Sequence, residues 1–130
     1  MKLADHYRRL FEFEQDAHAR VLASLDTVPT KNRDKQEYTE CVELFAHMMS
    51  ARLFWLTRIG GTELGPKDLF PKRVTMEGLE DMAADAHAAW SDYLERLDQA
   101  EVERVFEYKS TEGKTYRNTI VDILTQLFHH

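Results

Sequence analysis

Apolar residues recur every three or four positions along most of this 130-residue chain, and this periodicity constrains the fold more than any other feature. Side chains at that spacing form one stripe along a helix, and neighbouring helices must cover the stripe. We predict a first helix over residues 3–25 and a second over residues 35–59, which Gly60 and Gly61 end. The stripe predicted for the second helix consists of Tyr38, Cys41, Leu44, Met48, Ala51, Trp55 and Ile59.

The middle of the chain predicts a long connection followed by a third helix. Residues 62–74 contain Pro66 and Pro71, which cannot continue a helix, so this segment is predicted to be an irregular crossover. Thr75 is the predicted N-cap of a third helix that reaches about residue 97. Residues 101–104 are interpreted as a solvated link.

The last part of the chain predicts a hairpin and a final helix. Residues 105–108 and 115–116 flank a glycine-containing turn, which is typical of a short β-hairpin. The final helix opens at Thr119 and is still running at His130, with no residue that would end it. The predicted fold class is therefore all-α: a single-domain four-helix bundle with a long crossover between helices two and three, a hairpin before helix four, and a last helix truncated at its C-terminal end.

Charge and composition exclude several classes of partner. The chain has 23 acidic and 17 basic residues and a net charge of -6, so its field repels a phosphate backbone and we expect no nucleic-acid partner. No apolar run is long enough to span a membrane or to form the core of a secretory signal, so we expect no membrane association. Cys41, alone in the sequence, is interpreted as core filler in a reducing compartment, and a cytoplasmic location is expected by elimination.

Helical geometry sorts the six histidines into inward and outward positions. His130 lies on the apolar side of the last helix, whereas His129 is on the opposite, solvent side. His47 lies near the edge of the apolar sector of helix two, beside the small Ala51, where its ring has room to reach a cavity. Imidazole is a standard ligand for zinc, nickel and iron, so inward histidines on two helices indicate a divalent metal site.

The first helix places a carboxylate and an imidazole on one buried face. His18 lies in the middle of the apolar stripe, one turn after Glu14. His6 and His87 lie at helix margins and are assigned to the surface without a role. The alternative interpretation is that each inward histidine is an ordinary core residue hydrogen-bonded to a neighbour. Motifs for di-iron bundles, HExxH zinc enzymes, Walker A sites and dinucleotide-binding loops are absent from the sequence.

Three segments resemble the DinB-like superfamily of bacterial metal-binding four-helix bundles. Residues 45–56 look like its metal-ligand histidine followed by a Trp-Leu pair, residues 123–130 look like the approach to its HxxxH motif, and residues 17–22 are similar to a segment of its first helix. The resemblance implies that His47 and His130 are two of three histidine ligands. It places the third ligand four residues after His130, beyond the sequence. It also implies an up-down-down-up bundle and a homodimer.

The function implied by this resemblance is that of a metal-dependent enzyme acting on a small molecule. Thiol S-transfer with a low-molecular-weight thiol is the first expectation, and related hydrolase or isomerase chemistry is the second. The metal would lower the pKa of a bound thiol or water. Glu14 and His18 are the candidate catalytic residues, expected to orient a substrate or move a proton, and either is also a candidate substitute ligand. The alternative function is a non-catalytic, stress-linked metal-binding or oligomerisation module.

Overall fold

The computed structural model of the protein describes residues 2–60, 68–110 and 112–128. These residues are mostly helical, at 73%, with a small antiparallel hairpin before the last helix. No helix in the described residues is long and apolar enough to cross a membrane. The helices and strands of these residues are α1 (Lys2–Asp26), α2 (Gln36–Gly60), α3 (Met76–Glu95), α4 (Gln99–Glu103), β1 (Val105–Lys109), β2 (Thr115–Thr119) and α5 (Ile120–Phe128).

Two predicted helix starts are confirmed by their capping hydrogen bonds. The Thr75 hydroxyl accepts a bond of 3.0 Å from the Gly78 amide and begins α3. At the start of α5, the Asp122 amide donates to the Thr119 hydroxyl at 3.2 Å, and the Thr119 amide donates to the Asp122 carboxylate at 3.3 Å. This reciprocal pair is the predicted capping box, and it fixes where α5 leaves the hairpin.

The hairpin is longer than predicted and leads directly into α5. Its strands pair in register from Val105 opposite Thr119 to Lys109 opposite Thr115. Gly113, with φ of 85°, supplies the left-handed backbone of the turn. Phe106 is buried against the helices, which gives this two-stranded sheet the packing it needs.

The core consists of two clusters of buried side chains that meet along α3. One cluster joins α1, α3 and α5 around Trp90, which is 1% exposed. The other joins α2 to the first half of α3 and the end of α1, with Phe45, Met49 and Leu79 at its centre. Both clusters therefore use α3, and α1, α2 and α5 are held around it.

The buried face predicted for the first half of α2 is wrong. Cys41 is exposed, and Leu44 and Met48 are 61% and 39% exposed. The buried residues of this half are Val42, Phe45, Ala46, Met49 and Ser50. Helix two carries apolar residues on both of its faces, so its periodicity fits two opposite orientations and does not decide between them.

The prediction of a solvated link at residues 101–104 is also wrong. Asp98 caps α4 by accepting a bond of 2.8 Å from the Glu101 amide, and Val102 is 1% exposed. Glu101 binds Arg104 at 2.8 Å and accepts a hydrogen bond from Tyr93 at 2.6 Å. One buried apolar residue and an ion pair are enough to fold this short segment onto the core, although it is too short to show a helical period.

Candidate functional site

His47 lies on the flank of α2, half-buried beneath the crossover that follows this helix. Its Nδ1 is 2.7 Å from the backbone carbonyl oxygen of Leu69, and its ring stacks on Phe70 with the ring centroids 4.2 Å apart. A carbonyl oxygen can only accept, so Nδ1 must donate and carry the proton. In the neutral ring the lone pair is therefore on Nε2, the arrangement found in most metal-ligating histidines.

The second predicted ligand, His130, lies outside the described residues, and so does His129. The last described turn of α5 lies near α2: the Leu127 carbonyl accepts a bond of 2.8 Å from Arg52. At the other end of α5, Arg104 donates to the carbonyl of Ile59 and accepts from the amide of Ile120. The two helices are therefore antiparallel, and α5 runs from the end of α2 towards the level of His47.

Glu14 and His18 lie together on the buried face of α1, as the sequence predicts. His18 is 5% exposed, and its Nε2 is 4.0 Å from the Glu14 carboxylate oxygen Oε1. The same carboxylate forms an ion pair with the guanidinium group of Arg52 on α2. The cluster therefore places a carboxylate, an imidazole and a guanidinium between α1 and α2.

His87 joins this cluster from α3, although the sequence assigns it to the surface without a role. Its Nε2 is 2.8 Å from Nδ1 of His18, and the planes of the two rings differ by 6°. The ring of His87 is half-buried. Periodicity shows which side of α3 a residue occupies but not which residue of α1 lies opposite, so the sequence gives no signal for this pairing.

Burial determines the charge state of the cluster. Burial, together with the neighbouring His87 and the positive charge of Arg52, lowers the pKa of His18 to about 4. Burial also lowers the pKa of His87. The pKa of Glu14 is raised because burial outweighs the attraction of Arg52. At neutral pH both rings are therefore neutral, and one N–H lies between them.

Arg52 connects the cluster to every major helix, and the sequence analysis missed it. Its guanidinium group binds Glu14 of α1 and the Leu127 carbonyl of α5. Its backbone carbonyl accepts a bond of 2.8 Å from the indole N–H of Trp90 on α3. Its guanidinium group also lies over the ring of Phe128. The sequence signal for this role is an arginine within the apolar part of a helix, because a buried cation requires a partner on a neighbouring helix.

A groove of about 380 Å³ opens between α1 and α3 beside this cluster. Phe11, in its wall, contacts the ring of His87 edge to face with the centroids 6.0 Å apart. Ser91, also in the wall, lies one turn after His87. The groove is lined by Arg8, Phe11, Glu12, Gln15, Ser91, Leu94 and Glu95.

No group of three or more His, Cys, Asp or Glu side chains within the described ranges could hold a metal ion. The described residues therefore supply one oriented histidine, His47, and a separate buried acid–base cluster. Comparison of the chain with protein-family models, with curated proteins and with solved structures finds no match.

Proposed function

We propose that the chain is a DinB-like four-helix bundle of the up-down-down-up type that binds a divalent metal ion, zinc, nickel or iron, between α2 and α5. His47 and His130 are two of its ligands. The protein acts as a metal-dependent enzyme in the cytoplasm on a small-molecule substrate, with thiol S-transfer as the first choice of reaction. A bound divalent ion supplies the positive charge that lowers the pKa of a thiol or of water.

The observation that carries this proposal is the orientation of His47. Its Nδ1–H is held by the Leu69 carbonyl, and the ring is held flat against Phe70. These contacts leave the Nε2 lone pair as the only basic position of the ring. Coordination of an ion through Nε2 needs this tautomer. The contacts also fix the ring, so the side chain is already ordered before the ion binds.

The buried carboxylate of Glu14 supports an enzymatic function. It lies beside the last described turn of α5, because Arg52 binds both Glu14 and the Leu127 carbonyl. Arg52 stabilises the ionised form, whereas burial favours the protonated form, so the carboxylate is able to accept or release a proton. Glu14 and His18 would hold a substrate in place or move its proton.

A non-catalytic oligomerisation module is the second candidate, and one observation favours it. Leu44 and Met48 are exposed on the face of α2 that points away from α3, together with Cys41. A second copy of the chain would cover these apolar side chains in a homodimer. In this function the metal would stabilise the bundle without supporting turnover.

Metal analysis of the purified full-length protein tests the proposal. We expect the wild type to retain close to one equivalent of metal per chain after gel filtration. His47→Asn removes Nε2 but keeps a side-chain donor at the position of Nδ1, so its bond to Leu69 survives and the metal is lost. His6→Asn, at an exposed position on α1, is the matched control and retains the metal.

Activity separates the two candidates. The protein is assayed for conjugation of a low-molecular-weight thiol to a general electrophile, with and without a chelator. Turnover that the chelator abolishes supports the enzyme. Bound metal without chelator-sensitive turnover supports the oligomerisation module, and a wild type that carries no more metal than His47→Asn contradicts both metal-binding functions.

A further inference from the structure

His87, His18 and Glu14 form a line between α3 and α1 whose middle member, His18, is the most buried. The nitrogens that join the two imidazoles are 2.8 Å apart, and the ring centroids are 5.1 Å apart in nearly parallel planes. This geometry is that of two rings that meet end to end through one hydrogen bond. Beyond it, Nε2 of His18 faces Oε1 of Glu14 at 4.0 Å.

The two imidazoles of this line lie in different surroundings. The ring of His87 lies behind the wall of the α1–α3 groove, in contact with the wall residue Phe11 and one turn before Ser91, and its Nδ1 has no hydrogen-bond partner among the described residues. His18 is almost fully buried, with Phe45 packed edge-on against its ring. A proton that reaches Glu14 from the groove along this line passes through both imidazoles.

We infer that His87 and His18 form a two-imidazole proton relay between the α1–α3 groove and the Glu14 carboxylate. In the transfer, Nδ1 of His87 accepts a proton from the groove and its Nε2 passes one to Nδ1 of His18. Nε2 of His18 then gives its proton to Glu14 as a small rotation of the carboxylate closes the gap. Each ring ends neutral with one proton, and the net change is one proton gained by Glu14.

The electrostatics of the cluster fit this role. A neutral imidazole has one donor and one acceptor, which is what a relay requires, whereas a charged ring has two donors and cannot accept. Burial holds both rings neutral at pH 7 and raises the pKa of Glu14, so the carboxylate is a competent proton acceptor. The use of this proton in a reaction rests on the proposed function, but the relay itself does not.

Proton uptake by Glu14 tests the relay in metal-free, full-length protein whose glutamate carboxyl groups carry carbon-13. The rate at which Glu14 is protonated after a rapid drop in pH is followed by the infrared C=O band that is absent from Glu14→Gln. His87→Gln places an amide near the position of Nε2, so the bond to His18 survives although an amide does not relay protons. We expect this variant to slow the protonation of Glu14 at least tenfold, with the thermal midpoint unchanged and with His6→Gln behaving as the wild type does.

A protonation rate of Glu14 that His87→Gln leaves unchanged would overturn the relay, because protons would then reach Glu14 by local opening. Wild-type protein in low urea provides a measurement that does not depend on a variant. Proton uptake through the relay is insensitive to urea below the unfolding transition, whereas uptake through opening accelerates with urea. Since no metal is present, failure of the relay in these experiments is distinct from failure of metal binding.

Discussion

At the scale of single residues, Arg52 and Glu14 matter most because each is buried and charged. Their side chains are only 15% and 16% exposed, and each neutralises the other at the junction of α1 and α2. A buried ion pair contributes little net stability when intact, but the removal of one partner leaves an uncompensated charge. The two residues should therefore be strongly coupled.

Arg52→Met is expected to destabilise the protein by about 3 kcal/mol, because it leaves the Glu14 carboxylate buried without its cation. The double variant Arg52→Met/Glu14→Gln should recover much of this loss, since no buried charge remains. Urea unfolding of the wild type, both single variants and the double variant gives the coupling energy. Additive losses would show that the ion pair does not act as a unit.

His18 gives a pH dependence whose sign follows from its lowered pKa. The unfolded ring takes up a proton near pH 6.5 and the folded ring near pH 4, so the unfolded state binds more protons between these values. The stabilisation is complete above pH 6.5 and is lost as the pH falls to 4, by about 3 kcal/mol. Glu14, with its raised pKa, acts in the opposite direction over part of this range.

His18→Phe isolates this effect, because the other titrating groups, including His87 and Glu14, are retained. We expect the free energy of unfolding of the wild type, relative to that of the variant, to fall by about 3 kcal/mol as the pH is lowered from 6.5 to 4. Urea unfolding of both proteins at half-unit intervals of pH measures this change. A difference that stays constant over this range would mean that His18 is not buried as a neutral ring.

At the scale of secondary structure, periodicity and capping residues predicted the long helices to within a few positions. The buried face of α2 was not predictable, because Val42 and Phe45 on one side compete with Leu44 and Met48 on the other. Helix α4 was missed because five residues do not show a period. The His18–His87 bond depends on how α1 and α3 are aligned, which neither helix encodes by itself.

The capping box at the junction of β2 and α5 is expected to contribute about 1 kcal/mol. Thr119→Ala removes the hydroxyl that accepts from the Asp122 amide and leaves that donor without its partner. Thr115→Ala, at the exposed start of the same strand, is the matched control for the lost threonine. Urea unfolding should show a loss for the first variant only; equal losses would assign the effect to the strand.

At the scale of the whole molecule, α2 carries two separate features. His47 has a fixed ring and a free Nε2 under residues 69 and 70, and Arg52 ties the Glu14 carboxylate to the last described turn of α5. The helical fold class and the hairpin were predictable from the sequence because they depend on local patterns. The metal site depends on residues from separate helices, so it remains a proposal.

Nitrogen-15 NMR of the histidine rings during titration with zinc tests the central claim most directly. We predict that the Nε2 resonances of His47 and His130 shift together and saturate at one equivalent, while those of His6 and His18 stay in place. The Nδ1–H signal of His47 should persist, because the Leu69 carbonyl holds that proton. A His47 resonance that does not respond to zinc, or a response spread evenly over all six histidines, would contradict the account.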